Sequence, residues 1–351
     1  MNNLLETTID DLNQWLAARG HRPYRTGQIR DWLFNRRATT FNEMTDLSQG
    51  LRDELTASFV LGTAKIVTHH KAADGTEKLL LDFSGGQIEC VLLRDGIRRS
   101  ICISSQVGCA MGCVFCASGL DGVERNLSTA EMVEQMLQLA RLLPTDERLS
   151  HIVVMGMGEP LANLDNVLAA LAKATDRKGL GISPRRMTIS TVGLPAAMKR
   201  LTAENPRFNL AVSLHAPNDE LRSELVPVND KTGLEAIIAA ADEYFDASGR
   251  RLTFEYVLLG GLNDYPDHAR QLARLLRGRP ALLNVIPYNP VAGLPYRTPS
   301  VDAQKEFRQI LQDGGLNVHF RQRKGDEINA ACGQLRRIKP TVVQTIEPPS
   351  L

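Results

Sequence analysis

The sequence predicts an α/β fold: an open, partial barrel of six βα units behind a small N-terminal helical domain and a short β extension. Three observations carry this. From residue 101 onward, apolar strand-like runs alternate with segments of helical periodicity. Residues 61–100 hold β-like runs broken at Asp74-Gly75 and Gly85-Gly86. Residues 4–60 carry apolar residues at helical spacing among many arginines. The expected divisions are 1–60, a helical accessory domain; 61–94, the β extension; 95–327, the barrel core; and 328–351, a C-terminal segment that bears a cysteine.

At 351 residues the chain has room for roughly two domains and a large core. Apolar residues make up 43% and charged residues 23%, the balance of an ordinary soluble globular protein. A formal net charge of +1 makes no global field for nucleic acid, so any RNA-binding surface must be a local patch. No apolar run approaches the ~18–20 residues that span a bilayer, and the stretch from Met1 to Glu6 lacks the basic and apolar regions of a signal peptide. Six cysteines, three of them packed into one loop, point to a reducing compartment and metal use rather than a disulfide scaffold. The expectation is a cytoplasmic monomer with no membrane partner.

In the first domain Leu12, Trp15 and Leu16, then Ile29, Trp32, Leu33 and Phe34, recur at helical spacing. Arg19, Arg22, Arg25, Arg30, Arg36 and Arg37 lie among them, with Tyr24. Such residues suit RNA backbone contact and base stacking, and equally a solvated helix face over a small core. The extension reads as a meander through Lys65–Val67, Lys78–Leu81 and Ile88–Leu93. Core strands are expected at 101–105, 151–155, 186–191, 208–214, 251–259 and 282–287, each followed by a helix. Ser128 and Glu131 form a capping box before the stripe Met132, Met136, Ala140 and Leu143. Leu164, Leu168 and Leu171 mark the second helix, and 194–204 the third. Thr232 with Glu235 reads as the cap of the fourth, which Gly249 closes. Pro266 opens the fifth; Ser300 opens the sixth, ended by Gly314-Gly315. Strands this apolar belong in a parallel sheet covered by helices. A closed barrel of this type needs eight units, so six leave a concave side open, with chemistry at the C-terminal ends of the strands.

The loop after the first core strand holds Cys109, Cys113 and Cys116 as C-x3-C-x2-C, with Phe115 before the last thiol. The spacing is too short and asymmetric for a paired zinc site. Three thiolates, where a 4Fe–4S cluster usually takes four, leave one iron open to another ligand. The spacing resembles the radical-SAM signature, in which that ligand is S-adenosylmethionine (SAM). Other candidates collect at the same end of the sheet. Gly156-Met157-Gly158-Glu159-Pro160 follows the second strand; its glycines admit close backbone approach, and Glu159 can accept from an ammonium. Ser190 ends the third strand, and Ser213-Leu214-His215 the fourth, with Ser213 and His215 on one face. Asn289 ends the sixth between two prolines. Near the C-terminus Cys332 sits in a loop of small residues after Arg321, Arg323 and Lys324, cations that suit RNA phosphates.

Together the helical N-terminal unit, the cysteine loop, Met155 to Pro160, Ser213 to Asp219, Asn284 to Pro290 and Gly325 to Leu335 resemble, over nearly the whole chain, the RlmN/Cfr class of radical-SAM RNA methyltransferases. The resemblance implies a TIM-like radical-SAM barrel and an N-terminal domain that binds RNA. It implies one 4Fe–4S cluster on Cys109, Cys113 and Cys116, and two SAM consumed per methylation, with Gly158, Glu159, Ser190, Ser213, Leu214, His215 and Asn289 as SAM contacts. It implies that Cys332 carries the methyl group, that Glu89 takes the proton, and that Cys102 attacks the Cys332 sulfur to form a transient disulfide. The implied partners are 23S rRNA, tRNA, a reductant such as flavodoxin for the cluster, and a thiol reductant for the disulfide. RlmN proteins methylate adenine C2 and Cfr proteins C8; no residue here chooses between them. A radical-SAM enzyme with a non-RNA substrate would share the cysteine loop and Glu159 without needing both Cys102 and Cys332.

Overall fold

The computed structural model describes residues 1–204, 207–321 and 324–335. The chain begins with three helices, α1 (Ile9–Ala17), α2 (Tyr24–Phe34) and α3 (Gln49–Ser58). Thr8 and Asp11 box the start of α1. The apolar stripes of these helices meet in a core of Leu12, Leu16, Ile29, Leu33, Leu51 and Leu55. Parallel pairing of β1 (Asn2–Asn3) with β2 (Phe59–Val60) closes the unit. Two of its arginines are spent on docking. Arg30 is buried and pairs with Asp176 at 2.7 Å. Arg37 donates to the carbonyls of Leu143 at 2.7 Å and Pro144 at 3.1 Å. Both are therefore engaged in holding this unit against the rest of the chain. Arg19 and Arg36 stack instead on Trp15 and Trp32, 4.2 and 4.3 Å from the ring centroids.

One ten-stranded sheet follows. Its first part is an antiparallel meander of β3 (Lys65–Lys71), β4 (Glu77–Phe83) and β5 (Gly86–Asp95), and β5 pairs antiparallel with β6 (Arg98–Cys102). A small hairpin, β7 (Gln106–Gly108) with β8 (Val123–Asn126), then frames the cysteine loop. From β6 the sheet continues in parallel through β9 (His151–Val154), β10 (Met187–Thr191), β11 (Asn209–Ser213), β12 (Leu252–Leu258), β13 (Ala281–Pro287) and β14 (Asn317–Phe320). The outer strands β3 and β14 do not pair, so the barrel is open. The parallel run has one strand more than expected. β14 is four residues long and only half-buried on alternate positions, which leaves little apolar signal to read.

The helices are α4 (Thr129–Arg141), α5 (Leu164–Thr175), α6 (Pro195–Ala203), α7 (Asp219–Leu225), α8 (Leu234–Ser248), α9 (Pro266–Leu275) and α10 (Val301–Asp313). The Ser128–Glu131 box caps α4 and Ser300 caps α10. The cap read at Thr232 is corrected. Gly233 holds that position at φ +71°, and Asp219 Oδ1, arriving from α7, accepts the Leu234 N–H at 2.8 Å. A distant carboxylate does the work assigned to the local hydroxyl. No helix of the described residues is long and apolar enough to cross a membrane.

Candidate active site

The cysteine loop hangs from the β7–β8 hairpin, just past the C-terminal end of β6. Its neck needs glycine: Gly108 has φ +77°, and a Cβ there would lie 2.0 Å from the Gly122 carbonyl oxygen. Cys109 N–H donates to that carbonyl at 2.9 Å. Burial pushes the Cys109 thiol up to about 12, and Cys113 and Cys116 also rise through burial. Cys116 and Cys109 each add to the rise at Cys113, so the three lie within electrostatic reach of one another. Among the described residues, no three His, Cys, Asp or Glu converge as they would around a single metal ion. Three cysteine thiols in one loop, with no histidine among them, are a donor set that suits an iron–sulfur cluster, which they would hold.

Glu159 is placed by its neighbours. Gly158 sits at φ +102°, where a Cβ would meet Gln106 Cβ at 2.6 Å, and the Glu159 N–H donates to Gln106 Oε1 at 2.9 Å. The carboxylate is buried and accepts from Val192 N–H at 2.8 Å and Leu161 N–H at 3.0 Å. Desolvation still outweighs these bonds and lifts its pKa from 4.5 to about 7. Ser190 and Ser213 are half-buried at the ends of β10 and β11. Leu214 is fully buried and offers backbone: its carbonyl accepts from Arg222 Nε at 3.0 Å. His215 has φ +63° and packs edge-on to Phe115, ring centroids 4.9 Å apart. Burial and the nearby Arg222 lower it to about 3, so it is neutral; Nδ1 accepts the Val257 N–H at 3.1 Å, which puts its proton on Nε2. Arg222 itself is fully buried and donates to the carbonyls of Leu214, Ser213 and Val192.

A cavity of about 460 Å³ opens at these strand ends, lined by Cys102, Cys116, Asn289, Arg321 and Cys332 among others. The Cys332 loop is pinned to the cysteine loop: Ala117 N–H donates to Gly333 O at 2.8 Å and Ser118 Oγ to Leu335 O at 2.6 Å. Asn289 Nδ2 donates to Cys332 O at 3.2 Å, while its Oδ1 is buried with no partner among the described residues. Cys102 ends β6, and burial with the nearby Cys332 pushes it up to about 12 against the opposing pull of Arg321. All six cysteines are free thiols. The disulfide drawn from the resemblance is thus corrected: Cys102 and Cys332 share a cavity without a bond.

Glu89 is buried on β5, not facing solvent. Alternation puts it on the same face as Val91 and Leu93, which line the cavity. It pairs with Lys78 of β4 at 2.6 Å, a partner that sequence reading missed. Two cations expected on RNA phosphates, Arg321 and Lys324, line the cavity. Arg321 lines the cavity beside both thiols and the buried Glu255, and Lys324 pairs with Asp95 at 3.0 Å. Arg323 lies outside the described residues.

Comparison with known proteins agrees with this arrangement. Residues 103–276 match the Radical SAM superfamily, and residues 2–61 match the family described as ribosomal RNA large subunit methyltransferase N-terminal domain. The probable dual-specificity RNA methyltransferase RlmN of Rhodopirellula baltica is 65% identical over 98% of this chain and 93% of its own length. Its namesake from Desulforamulus reducens is 45% identical over 96% and 97%. The crystal structure of a radical SAM methyltransferase from Sphaerobacter thermophilus superposes with a TM-score of 0.92 at 42% identity, covering 96% of this chain and 99% of that one. The chain belongs to the RlmN class of radical-SAM RNA methyltransferases.

Proposed function

We propose that the chain methylates C2 of a specific adenosine in 23S rRNA, and of the adenosine 3′ to the anticodon in tRNAs, through a methyl group carried on Cys332. The observation that carries this reading is the placement of Cys332: its loop is bonded to the cysteine loop and its cavity holds Cys102. Similarity to RlmN relatives over nearly the full chain favours C2 over C8.

Adenine C2 is electron-poor and cannot attack a methyl cation donor, so the carbon must arrive as a radical. Cys109, Cys113 and Cys116 would hold the cluster, which when bound supplies the electron that cleaves SAM and so the radical that removes hydrogen. The remaining work falls to the chain. The Cys332 sulfur takes a methyl group from a first SAM by displacement; a sulfur–carbon bond forms and S-adenosylhomocysteine leaves. Glu159, held as a buried acceptor, receives the amino group of the second SAM. Ser190, Ser213, Leu214, His215 and Asn289 line the same strand ends and orient it; the unpartnered Asn289 Oδ1 supports a ligand there. Glu89 accepts the C2 proton. Cys102 serves release of the base from the Cys332 sulfur. The target base must leave its stack to enter, at a cost of a few kcal/mol. The electron comes from a cytoplasmic reductant such as flavodoxin.

The test is Cys332→Ala. RNA digested after reaction and read by mass spectrometry should contain 2-methyladenosine with the wild-type chain and none with the variant, while SAM cleavage persists. Methylated RNA from the variant would overturn the carrier role, and 8-methyladenosine from the wild type would overturn the regiochemistry.

A further inference from the structure

The segment that carries Cys332 is anchored at both ends. Its far end is bonded to the cysteine loop through Gly333 and Leu335. Its near end is bonded to the β3–β4 hairpin: Gly325 N–H donates to Asp74 Oδ2 at 2.9 Å, and Ala73 N–H to Glu327 Oε2 at 3.2 Å. One further near-end contact differs in kind. Lys78 Nζ donates to the Asn329 carbonyl at 3.1 Å and, from the same nitrogen, lies 2.6 Å from Glu89 Oε1. The Lys78 and Glu89 side chains are 8% and 7% exposed, so neither charge is shared with bulk water.

We propose that Lys78 is a positioning residue: a single buried ammonium joins Glu89, the proposed proton acceptor, to the backbone of the carrier segment, so that docking of that segment bears on how Glu89 is aimed. Strand geometry supports this. β4 and β5 are antiparallel with Lys78 opposite Val91 and Leu80 opposite Glu89, so Lys78 and Glu89 are diagonal neighbours on the cavity-facing side. An ammonium is a point charge with three rotatable donors, which lets one group hold a carboxylate and a carbonyl that converge from different elements. Glu89 lies on the sheet and Asn329 on the segment three residues before Cys332. Removing the ammonium takes a close cationic partner from a buried carboxylate and cuts one of the near-end anchors. It touches no group assigned to SAM or to the cluster.

The inference rests on the roles given above to Glu89 and Cys332, and the test separates the two. Methylation of Cys332 by SAM without RNA, read as a mass increase on the protein, needs no proton acceptor. Turnover to 2-methyladenosine does. For Lys78→Met the expected result is Cys332 methylation close to wild type, turnover lowered about 100-fold as for a catalytic group displaced by about 1 Å, and accumulation of protein covalently linked to RNA. Lys78→Arg should recover part of the turnover. Lys78→Met combined with Glu89→Gln should be no slower than Glu89→Gln alone, because both remove the same function. Should Lys78→Met not fold, Lys78→Gln, which keeps a donor but no charge, carries the same comparison. Unchanged turnover, or equal loss of both half-reactions in a folded variant, overturns the inference and leaves the proposed function standing. A wild-type chain that makes no 2-methyladenosine overturns that function instead.

Discussion

Glu159 offers a quantitative check on the site that needs no substrate. In the unfolded chain it ionises near 4.5, and in the folded chain near 7. Between these values the folded state holds a proton that the unfolded state has lost. The protonated carboxyl is thus fully tolerated below about pH 4.5, and stability falls as pH rises through 7. At about 1.4 kcal/mol per decade, the ionised form costs about 3 kcal/mol. The cause is desolvation, only partly offset by the Val192 and Leu161 N–H groups. Glu159→Gln removes the titration. Its absolute stability is not the readout, because the amide turns an NH2 toward one of those N–H donors and loses a bond. The pH dependence is. Denaturant unfolding of metal-free wild type and Glu159→Gln, at intervals from about pH 4.5 to 8, should show the wild type losing about 3 kcal/mol relative to the variant, centred between 4.5 and 7. A difference that stays flat within about 1 kcal/mol would mean that the carboxylate is solvated or otherwise compensated, and the burial argument would fail.

Other consequences follow from the same geometry. With Cys102 near 12, its thiolate fraction at pH 8 is roughly one in ten thousand, so iodoacetamide should leave it unmodified in the folded metal-free chain and label it after denaturation; mass spectrometry of the peptides decides this. Gly158→Ala places a Cβ 2.6 Å from Gln106 Cβ at φ +102°, so it should lower stability by about 2–4 kcal/mol and displace Glu159, seen as a lower denaturant midpoint and weaker SAM binding. RNA binding should weaken by ~0.7–0.9 log units per contacted phosphate for each log unit of salt. Substituting exposed Arg22 or Arg36 should flatten that slope, whereas Arg30→Ala should leave the slope unchanged and lower the melting temperature, because Arg30 faces Asp176.

Periodicity and caps made most of the fold legible because they are local. The Ser128–Glu131 box, the Gly249 stop and the strand at 187–191 each declare themselves within a few residues. The cysteine loop was legible for the same reason: its three thiols lie within eight positions. What escaped is non-local. Lys78, Glu89 and Asn329 meet only through an antiparallel ladder and a distant loop. Arg30 and Arg37 look like free cations until Asp176 and the carbonyls after α4 arrive. Arg321 reads as a phosphate contact until β14 turns it into the cavity. A charged side chain announces that it needs a partner, but tertiary geometry chooses which one.

The β extension gains its meaning from that geometry. Sequence alone sets it apart from the core, yet β5 and β6 are paired at five positions, from Asp95 with Arg98 to Val91 with Cys102. Glu89 is on the first of these strands and Cys102 on the second. Sliding the extension against the core would break that ladder, and a shift of one residue would turn Glu89 away from the cavity altogether. Glu89, the proposed proton acceptor, and the cavity thiol Cys102 are therefore fixed relative to each other. The Cys332 segment, the proposed carrier, is held differently, by a few hydrogen bonds at either end. If Cys332 has to change partners between accepting its methyl group and presenting it to the base, the movement belongs to that segment, and the sheet is the frame against which it is measured.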